Sequence, residues 1–109
     1  MTEATVDERK QIHLLASEPE SVNLSRQAQS DLLSYGLTKA DVCDEIVTWI
    51  DAGERVKVTT LHSYMGLIGQ KAFELKPRIE GRIYYVKVMI QISSDTEELL
   101  LIISTHLNH

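Results

Sequence analysis

Near residue 54 the apolar residues change period, from a spacing that suits helices to one that suits strands, and this switch restricts the chain to an α+β fold with its helices first. Before it, DERKQIHLLA (7 to 16) reads as a short helix, and the polar SEPES with Pro19 breaks it. Residues 1–22 are therefore expected to be an N-terminal arm or short helix, ahead of a main domain over 23–109. Ser25 can cap a helix that runs to about Tyr35, with Ala28, Leu32 and Tyr35 on one stripe and Gly36 at the left-handed C′ position. After a short turn, Thr38 and Asp41 make a capping box for the strongest helix. Its stripe is Val42, Cys43, Ile46, Val47 and Ile50, up to Gly53.

From Arg55 the period is two, with Arg55, Lys57 and Thr59 alternating with Val56 and Val58. LHSYMGLIG reads as a loop to a second strand over Gln70 to Leu75, which Pro77 ends. Gly81 turns the chain into the longest strand, Arg82 to Ile92. There Tyr85, Lys87 and Gln91 point one way, and Tyr84, Val86, Val88, Ile90 and Ile92 the other. SSDTEE is a polar link to ELLLIIST, an apolar run that suits a central strand covered on both sides, with HLNH behind it. Links this short predict an antiparallel sheet, since a parallel pair needs a crossover of a dozen or more residues.

A chain of 109 residues with 43% hydrophobic and 25% charged content is sized for one domain whose core needs no disulfide or structural metal. Its single cysteine, Cys43, lies on a helical stripe and reads as a small core residue, which suits a reducing, cytoplasmic setting. The polar, acidic N-terminus reads as neither a signal peptide nor a membrane span. A net charge of −5 argues against general coating of nucleic acid. The charge is uneven, however. Residues 1 to 45 hold nine acidic and four basic side chains, whereas residues 55 to 92 hold seven basic (Arg55, Lys57, Lys71, Lys76, Arg78, Arg82, Lys87) and two acidic (Glu74, Glu80). Such a run is either a solvated face or a local phosphate-binding surface.

There is no glycine-rich phosphate loop, no HExxH and no nucleophile elbow. His62, His106 and His109 have no tight helical spacing, so neither a metal site nor a cofactor is expected. Carboxylates cluster in the helical half, without a matched pair in the sheet. Strand alternation instead gathers Arg55, Lys57, Thr59, Tyr85, Lys87 and Gln91, with His106 at the end of the last strand. Pattern alone favours a solvated sheet face with snorkelling lysines. If the strands are neighbours in compatible register, the same residues suit phosphodiester chemistry. An imidazole or phenol would pass protons, cations would stabilise charge on phosphorus, and a ribose 2′-hydroxyl would serve as nucleophile without a metal.

Taken in order, YGLTKADVCDEIVTWI, RVKVTT, KPRIEGRIYYVKVMI, a polar hairpin and LLIIST resemble the MqsR-type toxins of type II toxin-antitoxin pairs, which have the RelE-like ribonuclease fold. The likeness spans residues 31 to 106. It implies two or three helices packed on an antiparallel sheet, and an endoribonuclease that cuts messenger RNA, on or off the ribosome, inhibits translation and is neutralised by a cognate antitoxin protein. The family's catalytic tyrosine falls on Tyr85, the lysine of its Tyr-x-Lys strand on Lys87, and its final-strand lysine on His106. Its first-strand lysine matches Lys57 with a one-residue shift, and its second-strand glutamine falls nearer Ala72 than Gln70. The expected catalytic set is thus Tyr85, His106, Lys57 and Lys87, with Arg55, Arg78, Arg82 and Gln70 binding substrate. The rival expectation is a non-catalytic module of the same fold that binds a protein partner.

Overall fold

The capping signals act where the sequence puts them. In the computed structural model, which describes residues 2–61, 69–93 and 95–107, the hydroxyl of Thr5 accepts from the Glu8 N–H, and the Glu8 carboxylate accepts from the Thr5 N–H. These bonds start helix α1, Val6–Ala16. Ser25 caps α2, Arg26–Tyr35, which ends on Gly36 at φ 68°, a left-handed value that glycine adopts without a Cβ clash. The Thr38/Asp41 capping box starts α3, Lys39–Asp51. The polar SEPES break is a single 3₁₀ turn, Pro19–Ser21.

The described residues form six strands: β1 Val22–Leu24, β2 Lys57–Thr60, β3 Lys71–Leu75, β4 Arg78–Ile79, β5 Arg82–Ile92 and β6 Glu98–Leu107. The sheet order is β1-β6-β5-β3-β2, with β4 paired to the start of β5. Glu80 and Gly81 join β4 to β5 with φ values of 51° and 81°. Positive φ at both central residues is the type I′ pattern, whose twist matches that of the flanking strands.

The antiparallel expectation holds for β2, β3, β5 and β6 and fails for β1, which runs parallel to β6 with Val22 opposite Leu100. The chain between them passes through two helices and the other strands, so a parallel pair has ample crossover length. The first long strand also begins later than its alternation suggests. It starts at Lys57, and Arg55 lies in the segment leaving α3, where its carbonyl accepts from the Trp49 Nε1–H at 2.9 Å.

All three helices supply one core with the inner sheet face. Ile12, Leu32, Val42, Cys43 and Ile46 pack with Val56, Phe73, Leu75, Val86, Val88, Leu100 and Ile102, all buried. Each such aliphatic side chain contributes about 1.5–3 kcal/mol on burial. Residues 2 to 24 belong to this structure through Ile12, Leu15, Ala16 and Val22. A smaller buried cluster, Leu61, Ala72, Met89 and Ile103, occupies part of the opposite, outer face. The loop expected over LHSYMGLIG lies mostly outside the described residues.

Among the described residues two ion pairs link the acidic first half to the chain after residue 54. Lys71 Nζ donates to Glu8 Oε2 at 2.7 Å, and Arg55 Nε pairs with Glu3 Oε1 at 2.7 Å. The Lys71 bond, followed by that from Thr5, holds the Glu8 carboxyl below its usual pKa. Among the described residues no helix is long and apolar enough to cross a membrane.

Burial pushes the Cys43 thiol up to about 11. At pH 8 the folded protein should react with a disulfide reagent at least about a hundredfold more slowly than the same chain in denaturant, because two pKa units remove that much thiolate. Because the folded value is the higher one, this thiol's contribution to stability is intact below about pH 9 and is lost as pH rises towards 11. Prompt labelling of one thiol under native conditions would contradict both statements.

Candidate active site on the outer sheet face

Sheet register, read strand by strand, lines up the polar residues of the outer face. Lys57 on β2 is opposite Glu74 on β3, Glu74 is opposite Lys87 on β5, and Lys87 is opposite Ser104 on β6. One step along, about 6.7 Å at two residues per repeat, Tyr85 is opposite His106. Their rings stack with centroids 5.5 Å apart and planes inclined by 17°. Lysines from two strands and an aromatic–imidazole pair therefore share one surface.

His106 reaches this face because β6 is irregular. Lys87 is opposite Ser104 but Val88 is opposite Ile102, so Ile103 is an extra residue, a β-bulge. Leu100 and Ile102 point into the core, and unbroken alternation would carry Ser104 and His106 inward after them. The bulge reverses the phase: Thr105 becomes fully buried and His106 exposed. Bulges re-aim side chains in this way beside functional sites.

Helix α2 fixes the bulge from the side. The Ser25 hydroxyl donates to the Ile103 carbonyl at 2.6 Å, and the Ser25 N–H to the Ile102 carbonyl at 3.0 Å. The Thr105 N–H donates to Asp31 Oδ2 at 2.8 Å, and Gln27 Nε2 donates to Oδ1 of the same carboxylate at 2.7 Å. The Leu107 N–H donates to the Tyr35 hydroxyl at 3.3 Å, and the Tyr35 ring meets Tyr84 edge-on at 5.3 Å. The backbone on both sides of His106 is held by one helix.

Glu74 is the residue that sequence reasoning missed. Its carboxylate is only 7% exposed and lies 3.7 Å from Lys57 Nζ. It is the sheet carboxylate discounted above, although its place in KAFEL, two residues after Ala72, already put it on the outer face. A carboxylate this buried requires positive neighbours, and the register gives it a lysine on each side. Among the described residues Lys87 has no ion-pair partner of its own.

The other candidates are more dispersed. Arg55 borders a cleft of about 350 Å³ with Lys57, Glu74, Lys76, Tyr85 and Trp49, although its guanidinium is paired with Glu3. Arg78 Nη1 donates to the Gly81 carbonyl at 3.2 Å across the hairpin turn. Arg82 is opposite Ile79 in that hairpin and by alternation belongs to the side of Tyr84, not that of Tyr85. Gln70 is exposed just before β3; its neighbour on the outer face of β3 is Ala72, which is buried beside Glu74. Thr59 and Gln91 fall on the outer face by register, with Gln91 opposite Leu99, towards the far end of β5. His62 and His109 lie outside the described residues. Among the described residues no three His, Cys, Asp or Glu side chains are grouped to hold a metal.

No protein-family model, curated protein or solved structure matches this chain. The functional reading of the outer face accordingly rests on its geometry and on the ordered residues that carry the likeness described above.

Three substitutions test the hold of α2 on β6. Asp31→Ala leaves the buried Thr105 N–H without an acceptor and should cost about 1–3 kcal/mol in denaturant unfolding, whereas Asp31→Asn, which keeps an acceptor oxygen, should recover part of that. The Thr105 hydroxyl is buried and unbonded among the described residues, so Thr105→Val should leave stability unchanged or raise it by about 1 kcal/mol. A clear loss of stability in the valine variant would show that the hydroxyl has a partner.

Proposed function

We propose that the outer face is the active site of a metal-independent endoribonuclease with a RelE-like fold, and that the protein is the toxin of an MqsR-type toxin-antitoxin pair, cutting messenger RNA and bound in turn by a cognate antitoxin. The observation that carries this reading is the stacked Tyr85/His106 pair, set one step along the sheet from the Lys57–Glu74–Lys87 row.

In the proposed reaction the ribose 2′-hydroxyl attacks the adjacent phosphorus in line. Its proton leaves to a base, the bond to the 5′-oxygen breaks, and an acid returns a proton to that oxygen, giving a 2′,3′-cyclic phosphate and a free 5′-hydroxyl. His106 and Tyr85 are the pair for these two transfers, since either group can give or accept a proton and both side chains lie on the outer face. Lys57 and Lys87 hold the non-bridging phosphate oxygens and stabilise the charge that builds on them. Glu74 holds the Lys57 ammonium over the face before substrate arrives, which lowers the ordering cost of binding.

Alanine at His106 or at Tyr85 should each reduce cleavage of single-stranded RNA by about 10²–10⁴-fold, the usual contribution of a positioned acid or base, with thermal unfolding close to that of the parent. In bacteria, induced expression of the parent should arrest growth and leave discrete transcript ends by primer extension, and the double variant should do neither. Growth arrest by a folded double variant would remove these two residues from the mechanism. Unaffected growth and intact RNA with the parent protein would favour the non-catalytic, partner-binding module.

A further inference from the structure

The 350 Å³ cleft beside Tyr85 does not end at the sheet. A second depression of about 420 Å³ adjoins it, and the two share Trp49, Glu54 and Lys76. The second one continues past Pro77 to Arg78 and Ile83, between α3 and the β4–β5 hairpin. Trp49 is the only tryptophan in the chain. It is half-buried, with part of the ring packed on the core and the Nε1–H held by the Arg55 carbonyl, so its orientation is fixed while part of the ring borders both depressions. Ile83, 40% exposed, adds a second apolar surface.

The charges around this groove are unequal in their freedom. Lys76 and Arg78 are exposed and have no acidic partner among the described residues, whereas Lys57 and Arg55 are paired with Glu74 and Glu3. Glu45 and Glu54 are on the helix side, beside Trp49. A ligand lying here would place anionic groups along Lys76 and Arg78 and a flat uncharged group against the indole. Single-stranded nucleic acid has that division between backbone and base.

We infer that this groove is the docking track for the single-stranded RNA flanking the cleaved bond, with one nucleobase stacked on Trp49 and the adjoining phosphates on Lys76 and Arg78. The inference rests on the ribonuclease reading for its choice of RNA, but it makes a binding claim of its own.

A short oligouridylate with every 2′-hydroxyl methylated cannot be cut by the proposed chemistry, and it reports binding alone. Titrated into the full chain, it should quench the single tryptophan's emission saturably, with an affinity that falls as salt rises. By anisotropy of a labelled oligomer, Trp49→Ala should weaken binding roughly 5- to 150-fold, as loss of one base stack does, and Trp49→Phe should restore most of it. Lys76→Ala, which removes no apolar contact from the core, should weaken binding and reduce its salt dependence. Quenching by the oligomer together with no cleavage of ordinary RNA would defeat the ribonuclease reading and leave the track standing. Cleavage of ordinary RNA together with unchanged emission of the parent and equal affinity in folded Trp49→Ala and Lys76→Ala variants would overturn the track and leave the reaction standing. Equal quenching by a duplex would also overturn it, since a paired base has no face free for the indole.

Discussion

One extra residue in the last strand governs what the outer face presents. With Ile103 bulged out of register, the strand buries Thr105 against the helices and turns His106 to the side of Tyr85; without it the imidazole would be directed at the core and Thr105 at solvent. A bulge is stable only where its freed backbone groups find partners. Here α2 supplies them, through Ser25 at the bulge itself and Asp31 and Tyr35 beyond it. The same contacts cover the edge of β6 beyond the end of the short strand β1, where unpaired N–H groups would otherwise offer a template for another chain. Edge protection and side-chain aiming therefore come from one set of hydrogen bonds.

That arrangement also accounts for the uneven charge. The acidic first half is not a separate body of charge, because Glu3 and Glu8 reach across to Arg55 and Lys71 and neutralise two of the seven cations between residues 55 and 92. Glu74 engages a third, Lys57. Lys76, Arg78, Arg82 and Lys87 have no ion pair among the described residues. Of these, Lys87 is on the outer face, and Lys76 and Arg78 border the adjoining depressions. A formal charge of −5 is compatible with a polyanion ligand when the uncompensated cations are grouped in this way.

Local signals were legible and long-range ones were not. Ser25, Thr38, Gly36 and Gly81 act where their chemistry predicts, because caps and tight turns are decided within four or five residues. The two faces of β5 follow from strict alternation. Strand β1 was not visible, since three residues between a proline-containing turn and an N-cap carry no period, and their pairing with β6 is set some eighty residues away. The bulge was equally hidden: LLLIIST has apolar residues on both parities, so the sequence leaves no mark where the phase changes. Glu74 was passed over because its partners are on other strands. Trp49 belonged to a helix in the sequence and became part of a groove only through the path of the chain after α3.

Glu74 is also where a merely solvated sheet face and a chemical one differ in physical terms. Lysines on an exposed strand snorkel, keep their hydration and need no carboxylate beneath them. A carboxylate 93% removed from solvent loses several kcal/mol of hydration, which a single lysine at 3.7 Å, itself 43% exposed, offsets only in part. A second lysine, Lys87, directly across the next strand adds favourable charge at longer range. The Lys57–Glu74–Lys87 row thus leaves one net positive charge on the outer face.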